Sequence, residues 1–373
     1  MSQAISELDE KTERLTRMLA AKSLGGVLLT LQPNFSWLTC GRRNGIDMSR
    51  EAGAGALLVR KDGKRFVLAN RIEMPRLLDE EISGEDFEAV EFSWEEEKSG
   101  SFLTDRAGTL LRGTEALGSD ADLNGSVLSE ADVSACRFEL TVQEIERYRS
   151  LGKDAGELLG DLMRTLEPGE SEKEVASLVA DTLATRDIHS VVLLVAADDR
   201  IKKYRHPIPT DRAWEKTLMV VVCARRHGLV ASLTRLICSG NAPSDLANRT
   251  NAAAKVNAAL FAATRRGAGG AELYKLADEA YADAGFPGEV HRHHQGGACG
   301  YRTRDWVAHP ASTEQVRTNQ AFAWNPSVTG SKVEETCIAF ESGIEVITSS
   351  PNWPSLSIDA GGRTYSLPDV LSI

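Results

Sequence analysis

Two stretches of the chain repeat one pattern at a constant separation. Each stretch has a glycine, a glutamate and a run of apolar residues, it follows a longer helical pattern, and it leads towards strand-like sequence. The matched positions are Gly169 and Gly267, Glu174 and Glu272, Val175 and Leu273, Leu178 and Leu276, and Ile188 and Phe286. Such self-similarity predicts two αα-then-β halves related by pseudo-symmetry around a shared sheet. The alternative is a chance similarity between two capped helices.

Helix start signals support this division. Thr141 with Glu144, and Ser171 with Glu174, each have the spacing of a capping box. An Ala-rich helix is predicted over about residues 246–265. Between the helical stretches lie the strand-like runs "SVVLLVA", "TLMVVVCA" and "LVASLTRLIC".

The N-terminal part has a different pattern. A helix over roughly residues 4–22 precedes a series of strand-like runs, which are "GGVLLTL", "NFSWLTCGRR", "GALLVRK", "RFVLAN" and "AVEFSW". Strands that alternate with helical segments predict an α/β domain. The predicted domains are therefore residues 1–137 and residues 138–373.

Composition excludes several classes of function. The net charge is −11, and phosphate binding needs clustered Lys and Arg, so we expect no nucleic-acid partner. No run of about 18 apolar residues occurs, so no membrane span is expected. The six cysteines are scattered without a C-x-x-C pair, which favours reduced thiols in a cytoplasmic protein. The expected partners are a small molecule and a second copy of the chain.

The segment "HRHHQGGACGYRTRDW", residues 291–306, places three histidines within four positions. Imidazole serves both as a metal ligand and as an acid–base group near neutral pH. In an extended chain His291 and His293 would share one face, and His294 would point to the other. The segment alone leaves open a metal site and a metal-free acid–base site.

Five strings in chain order resemble the pita-bread family of creatinase, aminopeptidase P and prolidase. They are "RHPIPTDRAWEKTLMVVV", "LVASLTRL", "HHQGGACGY", "QAFAWNPSVTG" and "KVEETCIAFESGIEVIT". The last is similar to the family's terminal Arg-x-Glu-Asp-Thr segment. The resemblance implies a creatinase-like N-terminal α/β domain followed by an α+β pita-bread domain with two pseudo-symmetric αα-β halves. It also implies a homodimer.

The metal ligands of that family are not preserved. The resemblance implies two Asp, one His and two Glu, which suit hard divalent ions. The first Asp position falls among Val221 to Cys223, the second at Ser232, and the first Glu position at Asn325. Only His294 and Glu334 keep ligand residues. We therefore expect no metal and no other cofactor, with a single zinc on Cys223 and His294 as the open alternative.

Creatinase-like chemistry without metal implies that histidines handle protons. The family's histidine before the first metal-binding strand corresponds to His206, and His294 would lie across the same pocket. A neutral imidazole can accept a proton from water and return it to a departing amine. Glu334 would orient an imidazole or hold a cationic part of the substrate. The structural alternative for His206 is a loop histidine satisfied by the backbone.

A further set of polar residues is expected to bind substrate. Arg304 would grip a carboxylate, because a guanidinium suits a bidentate contact. Arg42 or Arg43 would reach the neighbouring subunit's site, as the resemblance implies. The full substrate-binding set is Arg42, Arg43, Ser232, Thr234, Tyr301, Arg304 and Asn325. Cys223, Ser232 or Thr234 as a nucleophile stays an open alternative to an inert thiol or a hydrogen-bonding hydroxyl.

These observations lead to one functional hypothesis and two alternatives. The hypothesis is a metal-independent hydrolase that cleaves a C–N bond of amide or amidine type in a small carboxylate-bearing molecule. The first alternative is a catalytically inactive pita-bread protein that serves as a binding or scaffold protein. The second is a metal-dependent Xaa-Pro aminopeptidase or dipeptidase, which the missing carboxylates disfavour.

Overall fold

A computed structural model describes residues 6–373 and separates into two compact units, the first ending at Phe138 and the second comprising Glu139–Ile373. The helices of the first unit are α1 (Glu7–Lys22), α2 (Gln32–Leu38), α3 (Met74–Arg76), α4 (Phe102–Leu110) and α5 (Glu130–Arg137). Its strands are β1 (Leu24–Leu31), β2 (Ala52–Arg60), β3 (Arg65–Asn70), β4 (Glu88–Phe92), β5 (Ala116–Ser119) and β6 (Val127–Leu128). Residues 4 and 5 of the predicted first helix lie outside the described residues.

The strands of the first unit form one mixed sheet in the order β4-β3-β2-β1-β5-β6. Strands β1 and β2 are antiparallel, whereas β1 and β5 are parallel. Buried side chains on one face, including Leu28, Phe66 and Phe92, pack beside the partly buried Phe102 of α4. The α/β class predicted for this region is confirmed.

One predicted strand in this unit is wrong. "NFSWLTCGRR" was expected to be extended, but Gln32–Leu38 is helical, with Pro33 in its first turn. Proline is favoured in the first turn of a helix. Backbone N–H groups there have no acceptor within the helix, so the absence of one costs no hydrogen bond. The helix ends before Cys40, whose φ of 59° turns the chain. Short apolar runs do not distinguish a buried helix from a buried strand, and this run was such a case.

The second unit contains the repeat. Its helices are α6 (Val142–Met163), α7 (Glu172–Ala184), α8 (Arg200–Lys203), α9 (Ser244–Ala263) and α10 (Gly270–Asp283). Its first nine strands are β7 (His189–Ala197), β8 (Thr217–Arg226), β9 (Leu229–Cys238), β10 (Gly296–Cys299), β11 (Trp306–Val307), β12 (Gln320–Trp324), β13 (Ser327–Val328), β14 (Ser331–Lys332) and β15 (Glu335–Phe340). The last four are β16 (Gly343–Val346), β17 (Ser355–Ala360), β18 (Arg363–Pro368) and β19 (Leu371–Ser372).

Two sheets meet at the centre of the second unit. One has the order β19-β9-β8-β7 and the other β11-β10-β12-β15-β16. They join where β9 lies against β15: the backbone N–H of Ser232 donates to Thr336 Oγ1 at 2.7 Å, and that of Thr234 donates to the Glu334 carbonyl at 3.2 Å. This junction brings side chains from both halves together.

The predicted pseudo-symmetry is visible in individual hydrogen bonds. Equivalent positions of the two halves make equivalent backbone contacts at the turn before the second helix and at the end of that helix. At the turn, the backbone N–H of Gly169 donates to the Trp214 carbonyl and that of Gly267 donates to the Val316 carbonyl, both at 2.9 Å. At the helix end, the N–H of Ile188 donates to the Leu183 carbonyl at 3.2 Å, and that of Phe286 donates to the Tyr281 carbonyl at 2.9 Å. Both glycines have positive φ, 108° and 86°. The repeat is therefore structural, and the pita-bread fold class is confirmed.

Helix α6 lies very close to the segment that follows β16. A Cβ atom at Gly152 would stand 2.4 Å from the carbonyl oxygen of Ile347, and one at Gly156 would stand 2.5 Å from that of Ser349. Because these glycines are four residues apart, they share one face of the helix. The predicted capping boxes at Thr141 and Ser171 are both present. Among the described residues, no helix is long and apolar enough to cross a membrane.

Candidate functional site

Three imidazole rings converge in the second unit. His206 lies in the loop after α8, and His293 and His294 follow a short 3₁₀ turn at Glu289–Arg292. The Nε2 atoms of His206 and His293 are 3.1 Å apart. The His293 and His294 rings stack with centroids 4.4 Å apart, and the His206 centroid is 6.2 Å from that of His294. We call these three residues the histidine cluster.

The predicted facing of these histidines is wrong. His291 and His293 were expected to share a face, with His294 on the other. Instead, His291 belongs to the 3₁₀ turn, and its exposed ring approaches Tyr274 Oη at 3.2 Å. The segment is not extended, so the alternation of a strand does not apply to it. His293 and His294 consequently lie on the same side.

The Gly-Gly pair fixes the chain directly after the cluster. At Gly296, φ is 98° and a Cβ atom would stand 2.1 Å from the carbonyl oxygen of Ala323. At Gly297, a Cβ atom would stand 2.1 Å from the carbonyl oxygen of Trp306. Only glycine permits this approach of β10 to its neighbours. The close packing of β10 against its neighbours fixes the position of His293 and His294, which lie just before this strand.

A partly buried ion pair lies on the other side of the cluster. Arg205 Nη2 lies 2.6 Å from Glu289 Oε2 and 2.9 Å from Thr329 Oγ1. Glu289 also accepts a hydrogen bond from the Thr329 backbone N–H at 3.0 Å. These contacts connect the loop that carries His206 to the turn before His293. The histidine cluster therefore rests on bonds between its two supporting segments.

Glu334 is the buried anion beside the cluster. Its side chain is 2% exposed, and its carboxylate lies 2.9 Å from Lys332 Nζ and 3.2 Å from Arg304 Nη2. Thr234 Oγ1 donates to the same carboxylate at 2.8 Å. Burial works against the charged form, but attraction to Lys332 and Arg304 outweighs it and holds the Glu334 pKa below its usual value. Its partners are thus two cations and a hydroxyl, not an imidazole.

The histidines lie in surroundings that disfavour protonation. Desolvation, followed by repulsion from Lys332, lowers the pKa of His293 to about 2. Desolvation, followed by repulsion from Arg304, lowers the pKa of His294 to about 4. Desolvation also lowers the pKa of His206, and Lys332 adds to the effect. All three rings are therefore neutral at pH 7.

Of the other predicted residues of the second unit, Ser232 and Cys223 lie beside the Glu334 contacts, whereas Tyr301 contacts Glu144. Ser232 Oγ lies 3.3 Å from Cys223 Sγ and 3.4 Å from Arg304 Nη1, so these residues adjoin the Glu334 contacts. Burial raises the pKa of the Cys223 thiol, which disfavours a reactive thiolate. Asn325 is buried, and its Oδ1 has no hydrogen-bond partner among residues 6–373. Tyr301 differs from these, since its hydroxyl donates to Glu144 at 2.7 Å.

Arg42 and Arg43 belong to the first unit, where both are exposed. The backbone N–H of Arg43 donates to Glu81 Oε2 at 2.9 Å. Their predicted contribution to a neighbouring subunit's site stays a prediction.

Sequence reasoning missed two residues of the site, Lys332 and His293. Lys332 stands at the arginine of the family's Arg-x-Glu-Asp-Thr segment, which was a usable signal for a cation near the carboxylate. His293 was not among the predicted site residues, because within its segment only His294 occupies a position that matches the family. Its contact with His206 joins residues 87 positions apart, and no local pattern encodes such a contact.

The two-metal site implied by the resemblance does not fit these residues. Cys223 and Ser232 are paired across β8 and β9 where acidic ligands would be needed, and Asn325 offers only an amide. The remaining carboxylate, Glu334, already has the ammonium of Lys332 and the guanidinium of Arg304 as partners. Two hard divalent ions require several anionic oxygens, and fixed cations at the one available carboxylate would repel them.

The two-domain fold, with a pita-bread unit carrying histidine and glutamate at its centre, defines a class of metallopeptidase-like proteins. The signature of metallopeptidase family M24 matches residues 146–348, more than half of the chain, and the chain belongs to this family. No curated protein matches the sequence.

Solved structures share the fold at low identity. A Xaa-Pro dipeptidase from Bacillus anthracis is 18% identical with a TM-score of 0.73, over 92% of this chain and 98% of that one. A prolidase from Thermococcus sibiricus is 15% identical with a TM-score of 0.77, over 93% and 98%. The N-terminal domain of the FACT complex subunit SPT16 from chickpea is 13% identical with a TM-score of 0.66, over 92% and 96%. Enzymes and a subunit of a protein complex are thus both represented.

Proposed function

We propose that this chain is a hydrolase that cleaves a C–N bond in a small carboxylate-bearing molecule, with His206 and His294 as acid–base groups and without a metal pair. One observation carries the proposal. The buried carboxylate of Glu334 is held by Lys332 and Arg304 directly beside a cluster of neutral imidazoles. This arrangement supplies proton acceptors and fixed positive charge, the two requirements of amide hydrolysis.

The proposed reaction needs only these groups and water. A neutral imidazole accepts a proton from water while the water oxygen bonds to the carbonyl or amidine carbon. The electron pair displaced onto the substrate heteroatom is stabilised by the positive charge of Lys332 and Arg304. When the tetrahedral intermediate collapses, the C–N bond breaks and the imidazolium returns its proton to the departing nitrogen. The imidazole is neutral again after one turnover.

The charge at the site favours an anionic substrate. Lys332 and Arg304 carry two positive charges, and Glu334 balances one of them. The remaining positive charge would attract a carboxylate. Asn325, with its unpartnered Oδ1, would accept a hydrogen bond from a substrate N–H. Ser232 and Thr234 would contribute hydroxyls next to Glu334.

We further propose a homodimer in which Arg42 or Arg43 of one subunit contacts the substrate in the other. Both arginines are exposed, so they are accessible to such an arrangement. A further cation from the neighbour would strengthen selection for a carboxylate.

The test is a turnover screen of small amides, ureas and amidines that bear a carboxylate. The reactions contain EDTA to remove metal ions, and mass spectrometry detects the products. For any substrate found, His206→Ala and His294→Ala should each lower kcat by about 10²- to 10⁴-fold, the usual contribution of general acid–base catalysis. His189→Gln is the control, since His189 is exposed at the start of β7. Undiminished turnover in either alanine variant would refute the assignment of that histidine.

Two other functions are separated by the same screen. The alternative of an inactive binding protein is favoured by the Lys332 and Arg304 contacts, because both cations already have a partner. That alternative predicts small-molecule binding by calorimetry without turnover. Xaa-Pro dipeptide hydrolysis that appears only when Mn²⁺ or Co²⁺ is added would instead establish a metallopeptidase and overturn the metal-free proposal.

A further inference from the structure

We propose that the histidine cluster binds one transition-metal ion, preferentially Zn²⁺, at a position formed by three imidazoles. The two-metal position described above differs from it, since that position uses carboxylates. Binding of the ion does not depend on the proposed function. Only its effect on turnover does.

The spacing of the ring nitrogens suits one small ion. Zinc–nitrogen bonds are about 2.0–2.1 Å long, so two ligands of a tetrahedral ion lie about 3.3 Å apart. The Nε2 atoms of His206 and His293 are 3.1 Å apart. One nitrogen from each of the three rings can be chosen so that all lie within 4.8 Å of one another. Small side-chain rotations would bring the third nitrogen to bonding distance, because His294 is exposed.

The donor type selects the kind of ion. Three neutral imidazoles favour Zn²⁺, Cu²⁺ and Ni²⁺, whereas Mg²⁺ and Mn²⁺ prefer oxygen ligands. The cluster contains no carboxylate. The cluster is therefore expected to discriminate against Mg²⁺ and Mn²⁺ more strongly than an oxygen-rich site such as the one the family uses.

The surrounding charges limit the affinity and specify the fourth ligand. Lys332, Arg304 and Arg205 are cations near the cluster, and Glu334 and Glu289 balance two of them. The excess positive charge calls for an anion, either hydroxide or a carboxylate, on the open coordination position. Histidine ligands usually donate their second N–H to an acceptor, yet His293 Nδ1 has no hydrogen-bond partner in the described part of the chain. Lack of such support weakens metal sites about 10- to 100-fold, so we expect micromolar binding.

Occupation of the cluster would block the proposed chemistry. A metal ion bonds to the same nitrogen lone pairs that would accept a proton from water. We therefore expect Zn²⁺ to inhibit turnover at concentrations that match its binding.

The experiment measures binding of the metal alone to the full chain. Protein treated with a chelator and dialysed is titrated with Zn²⁺, and bound metal is measured by equilibrium dialysis. Co²⁺ provides a visible absorption spectrum as a second readout. Wild type should bind one ion, and His293→Gln should weaken binding at least tenfold. The matched control is His291→Gln, because His291 is two residues away but outside the cluster.

Unchanged affinity in His293→Gln, or equal losses in both variants, would overturn the site. His294→Gln is a second variant in case His293→Gln does not fold, and circular dichroism checks both. Turnover then separates this proposal from the proposed function. Zn²⁺ that binds as described but activates the enzyme supports the site and overturns the metal-free reaction. Metal-free turnover together with no cluster-dependent binding overturns the site and leaves the reaction intact.

Discussion

At the scale of single residues, the main electrostatic feature of the site is the Glu334 carboxylate with its two cations, Lys332 and Arg304. Burying a charge costs several kcal/mol unless a partner compensates it, and removing one partner from a buried pair usually costs about 3–5 kcal/mol. Lys332 and Glu334 have side chains that are 6% and 2% exposed. Their pairing is therefore both a feature of the site and a condition for stable folding.

We predict that Lys332→Met lowers the free energy of unfolding by about 3 kcal/mol, the lower end of that range, because Arg304 still faces the carboxylate. The double variant Lys332→Met/Glu334→Gln should recover part of the loss, since no uncompensated charge is then buried. Lys203→Met is the control, because Lys203 pairs with Asp199 on the surface, where such pairs contribute little. Urea unfolding measures all three. Equal losses in the single and double variants would contradict the role of charge compensation.

Residue-scale prediction from the sequence had a clear limit. His206, His294 and Glu334 followed from matched motifs, and they do lie in one region of the second unit. Lys332 and His293 did not, because their importance arises from contacts between segments distant in the chain. Arg304 was expected to grip the substrate, yet it faces Glu334 at 3.2 Å. A motif identifies the position of a charged residue, but the residues around it in the fold determine whether its charge is available to a substrate.

At the scale of secondary-structure elements, local signals predicted most of the second unit. Capping boxes located the starts of α6 and α7, and the matched glycines located the turns. These signals are reliable because the hydrogen bonds involved span only a few residues. The helix at Gln32–Leu38 was missed since its apolar run lacks a helical period. Such runs take their conformation from tertiary packing.

The close contact of α6 leads to an element-scale prediction. Gly156→Ala should destabilise the protein by about 1–3 kcal/mol, because the added Cβ meets two backbone carbonyl oxygens at 2.5 and 2.6 Å. This cost exceeds the gain of up to about 1 kcal/mol in helix propensity. Gly108→Ala in α4 is the matched control, since no atom of the described residues outside its immediate surroundings in the helix lies within 4 Å of its added Cβ. It should stabilise its helix by about 0.5–1 kcal/mol.

Chemical unfolding followed by circular dichroism measures both glycine variants. If Gly156→Ala is neutral or stabilising, the helix can move away from the segment after β16. The packing of α6 would then be adjustable and would not require glycine.

At the scale of the whole molecule, the proposed exchange of arginines between subunits can be tested by mixing. One chain carries His206→Ala, and the other carries Arg42→Ala and Arg43→Ala. Random pairing in a dimer makes about half of the population mixed, and each mixed dimer would regain one of its two sites. We therefore predict about one quarter of wild-type activity from two variants that are inactive alone.

The control for this mixing uses His206→Ala with His294→Ala, which cannot regain a site in any arrangement where both histidines act in one chain. Activity is measured after co-expression, and the dimer is checked by analytical ultracentrifugation. No recovery in the arginine mixture would show that Arg42 and Arg43 do not act in the neighbouring subunit.

Much of the whole-molecule architecture could be read from the sequence, because a repeat and five ordered motifs constrain a long stretch of chain together. The charge of the site could not be read from composition. The chain carries a net charge of −11, yet cations outnumber anions around Glu334. Net charge averages over the surface, whereas a binding site depends on a few side chains that folding brings together.

The cations that face Glu334 have a consequence for how the protein is made. In a metalloenzyme, the charge of a buried carboxylate ligand is compensated by metal ions taken up from solution. When the metal is scarce or a chelator competes for it, that charge stays uncompensated. Lys332 and Arg304 belong to the same chain as Glu334, so folding of that chain brings all three groups together. The counter-ions of this carboxylate are thus encoded in the gene, in the same chain as the carboxylate itself.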